Sequence, residues 1–205
     1  LPRRTPEGED AFVPCPGGAV FNTAVALGRL GVPAGLLSGL STDMFGERLA
    51  AALTASGVDS TLCIRSPRPT TLAFVTLEGG EARFAFHDEN SAGRMIRAAD
   101  LPALPGAVEA LVFGGISLMA EPCGSAFEAL MERAARSGLV TMIDPNIRPG
   151  FIADAPAHRA RIGRMIARAD IVKLSEPDLR WLEGPGRIAE AAAAILARGP
   201  ALVLV

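Results

Sequence analysis

The chain has little of what marks nucleic-acid-binding, membrane or secreted proteins. Its 20 Lys and Arg residues are balanced by 22 Asp and Glu residues, and no dense basic run occurs, so the charge pattern of a nucleic-acid-binding protein is missing. No apolar run is long enough to span a membrane, and the first residues have neither the apolar middle nor the cleavage site of a signal peptide. We therefore expect small-molecule partners, no nucleic-acid or membrane partner, and a cytoplasmic location.

Cysteine and histidine are also scarce. Cys15, Cys63 and Cys123 are odd in number, lie far apart and lack metal-ligand spacing, so buried free thiols are the favoured interpretation. His87 and His158 have no partner at the spacing of a nucleophile or a metal site, and the pattern around His158 is typical of a solvated helix face. We expect no chemical role for these residues.

Two common phosphate-binding motifs are absent as well. The chain has no Gly-x-x-x-x-Gly-Lys and no Gly-x-Gly-x-x-Gly after a strand, and these are the glycine patterns that cradle phosphates in P-loop and dinucleotide-binding proteins. A nicotinamide-dependent oxidoreductase would share the fold class predicted below, but it lacks its fingerprint here.

What the chain does have is an alternation of apolar runs and helical patterns from about residue 16 onward. This alternation indicates an α/β fold with a mostly parallel sheet, and a length of 205 residues predicts a single domain, residues 1–205. The predicted strands are 34–38, 110–113, 140–143, 171–174 and 201–205, the last typical of a strand covered on both faces. The predicted helices are 19–30, 43–56, 122–137, 157–169 and 187–197.

One region, residues 61–87, shows no helical period. Short strand patterns occur there instead, the last two separated by Glu78-Gly79-Gly80-Glu81, which predicts a β-hairpin. Residues 11–14 are expected to add another strand. Such a small β layer is a candidate lid, since closing a site against water requires a movable surface with an apolar side. A plain edge hairpin explains the same pattern equally well.

The stretch Gly17-Gly18-Ala19-Val20-Phe21-Asn22 precedes and opens a helix. Paired glycines allow the backbone to approach a ligand closely, and the first amides of a helix present positive charge to it. Asn22 carries a donor and an acceptor, which suits a vicinal diol better than a phosphate. A glycine turn followed by a solvent-facing amide is the alternative, and local rules alone favour it.

Two further segments place polar side chains directly after apolar strands. Asp144, Asn146 and Arg148 follow the run 140–143, at the edge where the ligand crevice of an open α/β sheet lies. A proline-stiffened turn is the alternative interpretation.

In the second segment Lys173, the only lysine of the chain, precedes Ser175, Glu176 and Asp178. Helix capping explains the last three positions, and holding Mg²⁺ through water is the functional alternative.

Taken in order, these segments resemble the ribokinase-like, or PfkB, carbohydrate kinases. "GGAVFNTAVALGRLG" followed by "GLSTDMFGERL" is similar to the N-terminal signature of the family, although Val20 and Ser41 depart from the usual residues. "PTTLAFVTLEGGEARFAFHDENSAG" resembles the lid strands. "DPNIRP" resembles the version found in fructokinases and 2-keto-3-deoxygluconate kinases.

The resemblance implies a three-layer αβα fold with a β-sheet lid, and transfer of a phosphoryl group from ATP to a sugar hydroxyl with Mg²⁺. It also implies a homodimer formed through the lid. The catalytic Asp of the family lies in a Gly-Ala-Gly-Asp motif that does not occur here. The resemblance therefore places that residue beyond Val205, and we expect no catalysis from this polypeptide alone.

The resemblance also assigns roles by position. Gly17, Gly18 and Asn22 match the sugar-binding glycines and amide, and Asn146 and Arg148 match positions near the sugar and the transferred phosphate. Ser175 and Asp178 stand where the family has Asn-x-x-Glu, which tunes Mg²⁺ and phosphate binding. The nucleotide- and Mg-associated set expected here is Lys173, Ser175, Glu176 and Asp178, with no direct metal ligand.

Two lid positions bear on the choice of sugar. Relatives that bind an acidic sugar have an Arg where this chain has Asp88, and a carboxylate would repel such a substrate. Phe86 offers an apolar wall to the sugar ring. The sequence thus predicts a kinase for fructose or another neutral sugar. A 2-keto-3-deoxygluconate kinase, a ribokinase-type specificity and a sugar-binding relative without kinase activity remain as alternatives.

Overall fold

The structure of the chain is a computed structural model that describes residues 2–78 and 81–205. Its contacts divide the chain into two compact units, Leu1–Met95 and Ile96–Val205. Helices form at all five predicted places, with their ends shifted by a few residues, and one more helix follows Ser175. The single-domain organisation stays a prediction.

The first unit combines two helices with several short strand pairs. Its helices are α1 (Ala19–Arg29) and α2 (Met44–Ala55). Its strands are β1 (Pro2–Arg4), β2 (Asp10–Phe12), β3 (Ala34–Gly35), β4 (Gly39–Ser41), β5 (Val58–Asp59), β6 (Ile64–Ser66), β7 (Leu72–Glu78) and β8 (Glu81–His87). Its core contains Phe21, Ala24, Leu36, Leu40, Leu53 and Val58.

Only the first two residues of the predicted strand 34–38 form a strand, β3, and the next strand, β4, begins after the predicted range at Gly39. β3 pairs with β5 and β4 pairs with β6, both in parallel. The neighbouring segment of the same chain, which contains β5 and β6, is interrupted after Asp59. The carboxylate of Asp59 accepts hydrogen bonds from the backbone N–H and the hydroxyl of Thr61 at 2.8 and 3.0 Å. A side-chain turn of this kind interrupts the hydrogen bonding between neighbouring strands. This explains why β5 and β6 are separate strands that pair with β3 and β4.

The predicted hairpin is present as β7 and β8, which pair in antiparallel register. Its predicted turn, Gly79-Gly80, lies outside the described residues. Strands also form near the other expected lid positions, where β2 pairs with β1 and β6 pairs with β4, and a lid role for them stays a prediction. The ring of Phe12 nevertheless meets the ring of Phe74 edge to face at 5.4 Å, so β2 lies beside the hairpin without joining its ladder.

The second unit is built on a four-stranded parallel sheet. Its strands are β9 (Ala110–Gly114), β10 (Val140–Asp144), β11 (Ile171–Lys173) and β12 (Leu202–Leu204), in the spatial order β12-β11-β10-β9. Its helices are α3 (Cys123–Arg136), α4 (Ala155–Ile166), α5 (Glu176–Glu183) and α6 (Ile188–Leu196). Short 3₁₀ turns occur at Ala98–Asp100, Gly115–Leu118 and Pro149–Phe151.

The core of this unit lies on one face of the sheet. Phe113, Ile143 and Val172 stand opposite one another on neighbouring strands and are buried. The run 201–205 differs from its prediction, since Leu202 and Leu204 are 45% and 46% exposed. β12 is the edge strand of the described sheet. Because alternate side chains of a strand point to opposite faces, Leu202 and Leu204 lie together on the exposed face of this strand.

His158 corrects another expectation. Its side chain is buried, and its ring meets the ring of Trp181 from α5 edge on at 5.8 Å. Burial first, and then the charge of Arg161, lower the pKa of His158. The expectation of a solvated helix face was wrong because α5 covers this part of α4.

The described part of the chain contains no helix that is long and apolar enough to cross a membrane.

Two helical glycines provide a matched test of this packing. A Cβ on Gly46 would lie 2.0 Å from the carbonyl oxygen of Ser41, whereas a Cβ on Gly163 would meet nothing within 4 Å. We expect Gly46→Ala to lower the free energy of unfolding by about 1–3 kcal/mol through overpacking. We expect Gly163→Ala to raise it by about 0.5–1 kcal/mol, because alanine favours a helix. Urea unfolding measures both, and a tolerated Gly46→Ala would contradict the close contact.

Candidate functional site

The candidate residues fall into two groups, one in each unit. The first group lies at the start of α1. Gly18 precedes the helix at φ 125°, which favours glycine, and no side chain caps the helix. Gly17 leaves open the space in front of Asn22, whose Oδ1 would lie 4.0 Å from a Cβ built at that glycine. The first amides of α1 therefore face open space beside an exposed side-chain amide.

The Asn22 side-chain amide has no hydrogen-bond partner among the described residues. The backbone N–H of Asn22 donates to Gly18 at 2.8 Å as part of the helix. One donor group and one acceptor thus remain available for a ligand.

Asp43 connects the start of α2 to Thr70, which lies just before the hairpin strand β7. Its carboxylate accepts hydrogen bonds from the N–H groups of Phe45 and Gly46 at 3.0 and 2.8 Å, which caps the helix. The same carboxylate accepts from the N–H and the hydroxyl of Thr70 at 2.8 and 2.6 Å. Burial by itself would raise the pKa of Asp43, but the hydrogen bonds from Thr70, Gly46 and Ser41 outweigh it and lower the pKa to about 2.

Asp88 lies in a small hydroxyl cluster just after β8. Its Oδ1 accepts hydrogen bonds from the hydroxyls of Thr71 and Ser91 at 2.6 and 2.9 Å, while its Oδ2 accepts none from the described residues. Phe86, two residues earlier, is half-buried and stacks with Phe84 at a centroid distance of 6.0 Å. One acceptor oxygen and one aromatic ring are thus held close together in the chain.

The second group lies at the carboxyl ends of β10 and β11. These strands are neighbours in parallel register, so the residues at their ends meet, and Lys173 Nζ lies 2.9 Å from Asp144 Oδ2. The other oxygen of Asp144, Oδ1, is buried and has no hydrogen-bond donor among the described residues. Polar groups from the ends of these two strands thus meet at this edge of the sheet.

The segment after β10 turns its side chains alternately inward and outward. Pro145 and Ile147 are buried, while Asn146 and Arg148 are half-exposed. Asn146 has φ 46°, in the left-handed region that asparagine tolerates better than most residues. Arg148 Nη1 donates to the carbonyl of Ile147 at 2.9 Å, which keeps the guanidinium beside its own loop.

Ser175 and Asp178 form a capping box at the start of α5. The Ser175 hydroxyl lies 2.6 Å from Asp178 Oδ2, and the N–H of Asp178 donates back to that hydroxyl at 3.2 Å. The second oxygen of Asp178, Oδ1, accepts from the N–H of Ile147 at 2.8 Å. Asp178 is only 3% exposed, so its carboxylate is fully engaged within the protein.

The nucleotide- and Mg-associated set does not fit a direct metal or phosphate site as it stands. Glu176 Oε1 accepts from Arg180 at 2.9 and 2.7 Å, Asp178 is engaged as described, and Lys173 is paired with Asp144. Among residues 2–78 and 81–205, no cluster of three or more His, Cys, Asp or Glu side chains is arranged to hold a metal ion. A nucleotide or Mg²⁺ role for these residues stays a prediction.

Sequence reasoning did not anticipate the long-range contacts of the two carboxylates that organise these groups, Asp43 and Asp178. It treated Asp43 only as part of a motif, and it did not anticipate that Asp178 reaches Ile147. The N-cap position of Asp43 and the N3 position of Asp178 were visible in the sequence. The distant partners were not, because Thr70 and Ile147 lie 27 and 31 residues away from them.

Comparison with known families identifies the chain. Residues 5–205 match the sequence model of the pfkB family carbohydrate kinases. The chain belongs to this family. It is 53% identical to a fructokinase of Rhizobium leguminosarum bv. trifolii over 205 residues, which cover 100% of this chain and 63% of that protein. It is 40% identical to fructokinase-1 of Oryza sativa subsp. japonica over 177 residues, 85% of this chain and 55% of the relative.

Solved structures confirm the ribokinase-like fold class. A fructokinase from Xylella fastidiosa with bound ATP matches with a TM-score of 0.85 at 28% identity, covering 100% of this chain and 64% of the other. A fructokinase from Vibrio cholerae O395 with bound fructose, ADP and calcium ion matches with a TM-score of 0.83 at 29% identity, covering 93% and 62%. This pfkB chain thus spans less than two thirds of the length of these relatives.

The low pKa of Asp43 leads to a prediction about stability and pH. Since the folded state favours the ionised form, the stabilisation is complete above the ordinary pKa of 3.8 and is lost as the pH falls toward about 2. We expect Asp43→Asn to lower the free energy of unfolding by about 1–2 kcal/mol at neutral pH.

The difference between Asp43→Asn and the wild type should shrink as the pH falls below about 4. Denaturant unfolding of both proteins from pH 7 down to pH 3 measures this. A difference that stays constant over the range would show that ionised Asp43 is not the source of the stability.

Proposed function

We propose that the protein phosphorylates a hydroxyl group of a neutral sugar, fructose first among them, at the expense of ATP. The observation that carries the proposal is the open start of α1, with its paired glycines and unoccupied Asn22 amide, in a pfkB chain that is 53% identical to a fructokinase. The fructose bound in the Vibrio cholerae relative supports the choice of sugar.

The first group of residues suits the hydroxyls of a sugar. The Asn22 amide both donates and accepts, so it can bind two neighbouring hydroxyls, and Gly17 and Gly18 let a ring approach the first amides of α1. Asp88 Oδ2 accepts from a further hydroxyl and repels an acidic sugar. Phe86 contributes the apolar surface that a ring face requires.

The second group of residues suits the negative charge of the phosphoryl group during its transfer. Arg148 carries a positive charge at the carboxyl end of the parallel sheet, and Asn146 offers an uncharged amide beside it. Phosphoryl transfer depends mainly on positioning and charge stabilisation, and these are the roles proposed for the two side chains. ATP and a divalent metal follow from the family, and we propose Mg²⁺ as the ion.

A sugar-binding protein without kinase activity is the second candidate. It is favoured by the internal engagement of Asp178, whose two carboxylate oxygens are both held within the protein. Sugar binding without release of ADP by the full-length protein would establish this candidate instead.

We also propose a cytoplasmic enzyme that dimerises through the hairpin of β7 and β8. The support for the dimer is apolar surface on and beside the hairpin, where Phe12, Phe74 and Phe84 are 52%, 37% and 43% exposed.

An ADP-release assay on the full-length protein tests the proposed reaction. The panel should contain fructose, other neutral hexoses and pentoses, and 2-keto-3-deoxygluconate, each with ATP and Mg²⁺. We expect turnover with fructose and the weakest activity with the acidic sugar, because Asp88 repels a carboxylate. No turnover on any sugar would overturn the proposal, and a preference for 2-keto-3-deoxygluconate would refute the role of Asp88.

Asn22→Ala tests the sugar site itself. Loss of hydrogen bonds to two hydroxyls should raise the KM for the sugar by on the order of 10-fold or more, with the KM for ATP nearly unchanged. Thr23→Ala is the matched control, since Thr23 is the next residue of α1, is also exposed, and donates its hydroxyl to the Ala19 carbonyl oxygen. Equal effects of Asn22→Ala on both KM values would contradict a sugar-binding role and indicate that residues 17–22 are only a turn and a helix start.

A further inference from the structure

Asp178 connects the start of α5 to the loop that follows β10. Its Oδ1 accepts the backbone N–H of Ile147 at 2.8 Å, and its Oδ2 accepts the hydroxyl and the N–H of Ser175 at 2.6 and 3.3 Å. Both oxygens of a side chain that is only 3% exposed are thus engaged. Such a buried carboxylate leaves its partners unsatisfied if it turns toward another ligand, which costs more than the single bond gained.

The bond to Ile147 lies at the centre of the segment that carries the proposed phosphate-side residues. Ile147 is buried and its two neighbours, Asn146 and Arg148, are half-exposed. Asn146 is left-handed, a conformation that a non-glycine residue adopts only when the surroundings hold it. Fixing the Ile147 amide therefore fixes the direction of the side chains on both sides of it.

We propose that Asp178 is a positioning residue that holds the loop 144–149 so that Asn146 and Arg148 face the substrate. In the shorter Ser-x-x-Asp pair of this chain, Asp178 binds both Ser175 and the loop. Its carboxylate therefore acts by holding the loop rather than by binding a metal ion. The part of this inference that concerns substrate rests on the proposed kinase function. The part that concerns the loop does not.

Amide hydrogen exchange of the full-length protein, followed by NMR, tests the loop. We expect Asp178→Ala to speed exchange of the Ile147 amide by on the order of 10-fold to 100-fold, the range for a lost hydrogen bond to a charged group. Asp178→Asn should restore much of the protection, because an amide oxygen can still accept from Ile147. Unchanged exchange in Asp178→Ala would overturn the proposal.

Asp154→Ala is the matched control for helix capping. Asp154 caps α4 by accepting from the N–H of Ala157 at 2.9 Å, it is exposed, and it has no bond to the loop. We expect Ile147 exchange to stay within about twofold of the wild type in this variant. Should Asp178→Ala fail to fold, Asp178→Asn and Ser175→Ala decide the question. Ser175→Ala keeps the carboxylate and should preserve the protection of the Ile147 amide, whereas Asp178→Asn offers only a neutral, weaker acceptor and should speed its exchange by about a few fold. Equal exchange in the two variants would overturn the proposal.

Steady-state kinetics separates positioning from metal binding. A positioning role predicts a raised sugar KM and lowered kcat in Asp178→Ala, recovery in Asp178→Asn, and an unchanged Mg²⁺ concentration for half-maximal rate in both. A metal role predicts that Asp178→Asn is as damaging as Asp178→Ala and that the Mg²⁺ requirement rises, and this result would overturn the proposal. If the wild type turns over no sugar, the proposed function fails while hydrogen exchange still decides the loop.

Discussion

The parallel pairing of β10 with β11 is the constraint on which the second unit depends. Parallel strands end at the same edge of a sheet, so Asp144 and the loop after it are brought beside Lys173 and the start of α5. The ion pair between Asp144 and Lys173, at 2.9 Å, and the bond from Ile147 to Asp178 both follow from this adjacency.

Carboxylates recur as connectors between segments that are distant in sequence. Asp43 binds Thr70 and Asp178 binds Ile147, and Asp170 accepts from the N–H of Thr141 at 2.7 Å. Each uses one carboxylate to satisfy donors from another part of the chain, which a neutral side chain does less strongly. The loops near the candidate site are therefore fixed by charge-assisted hydrogen bonds as well as by apolar packing.

Local pattern predicted the elements and the positions of the candidate residues well. The glycines before α1, the hairpin, and the polar residues after β10 and β11 are where the sequence places them, because periodicity and turn chemistry are local properties. The early end of β3 at Gly35 was missed, since it depends on a turn that follows Asp59 in β5, the strand with which β3 pairs. The burial of His158 was missed for a similar reason, because α5 lies over that position.

The only tryptophan of the chain, Trp181, lies in α5, the helix that Asp178 caps. Its indole is covered by the guanidinium of Arg159, 4.1 Å from the ring centre, and touched by the imidazole of His158. A cation over the ring and a polar group at its edge both influence an indole's emission. Within these 205 residues the indole is therefore an intrinsic optical reporter of the contact between α4 and α5, close in sequence to Asp178.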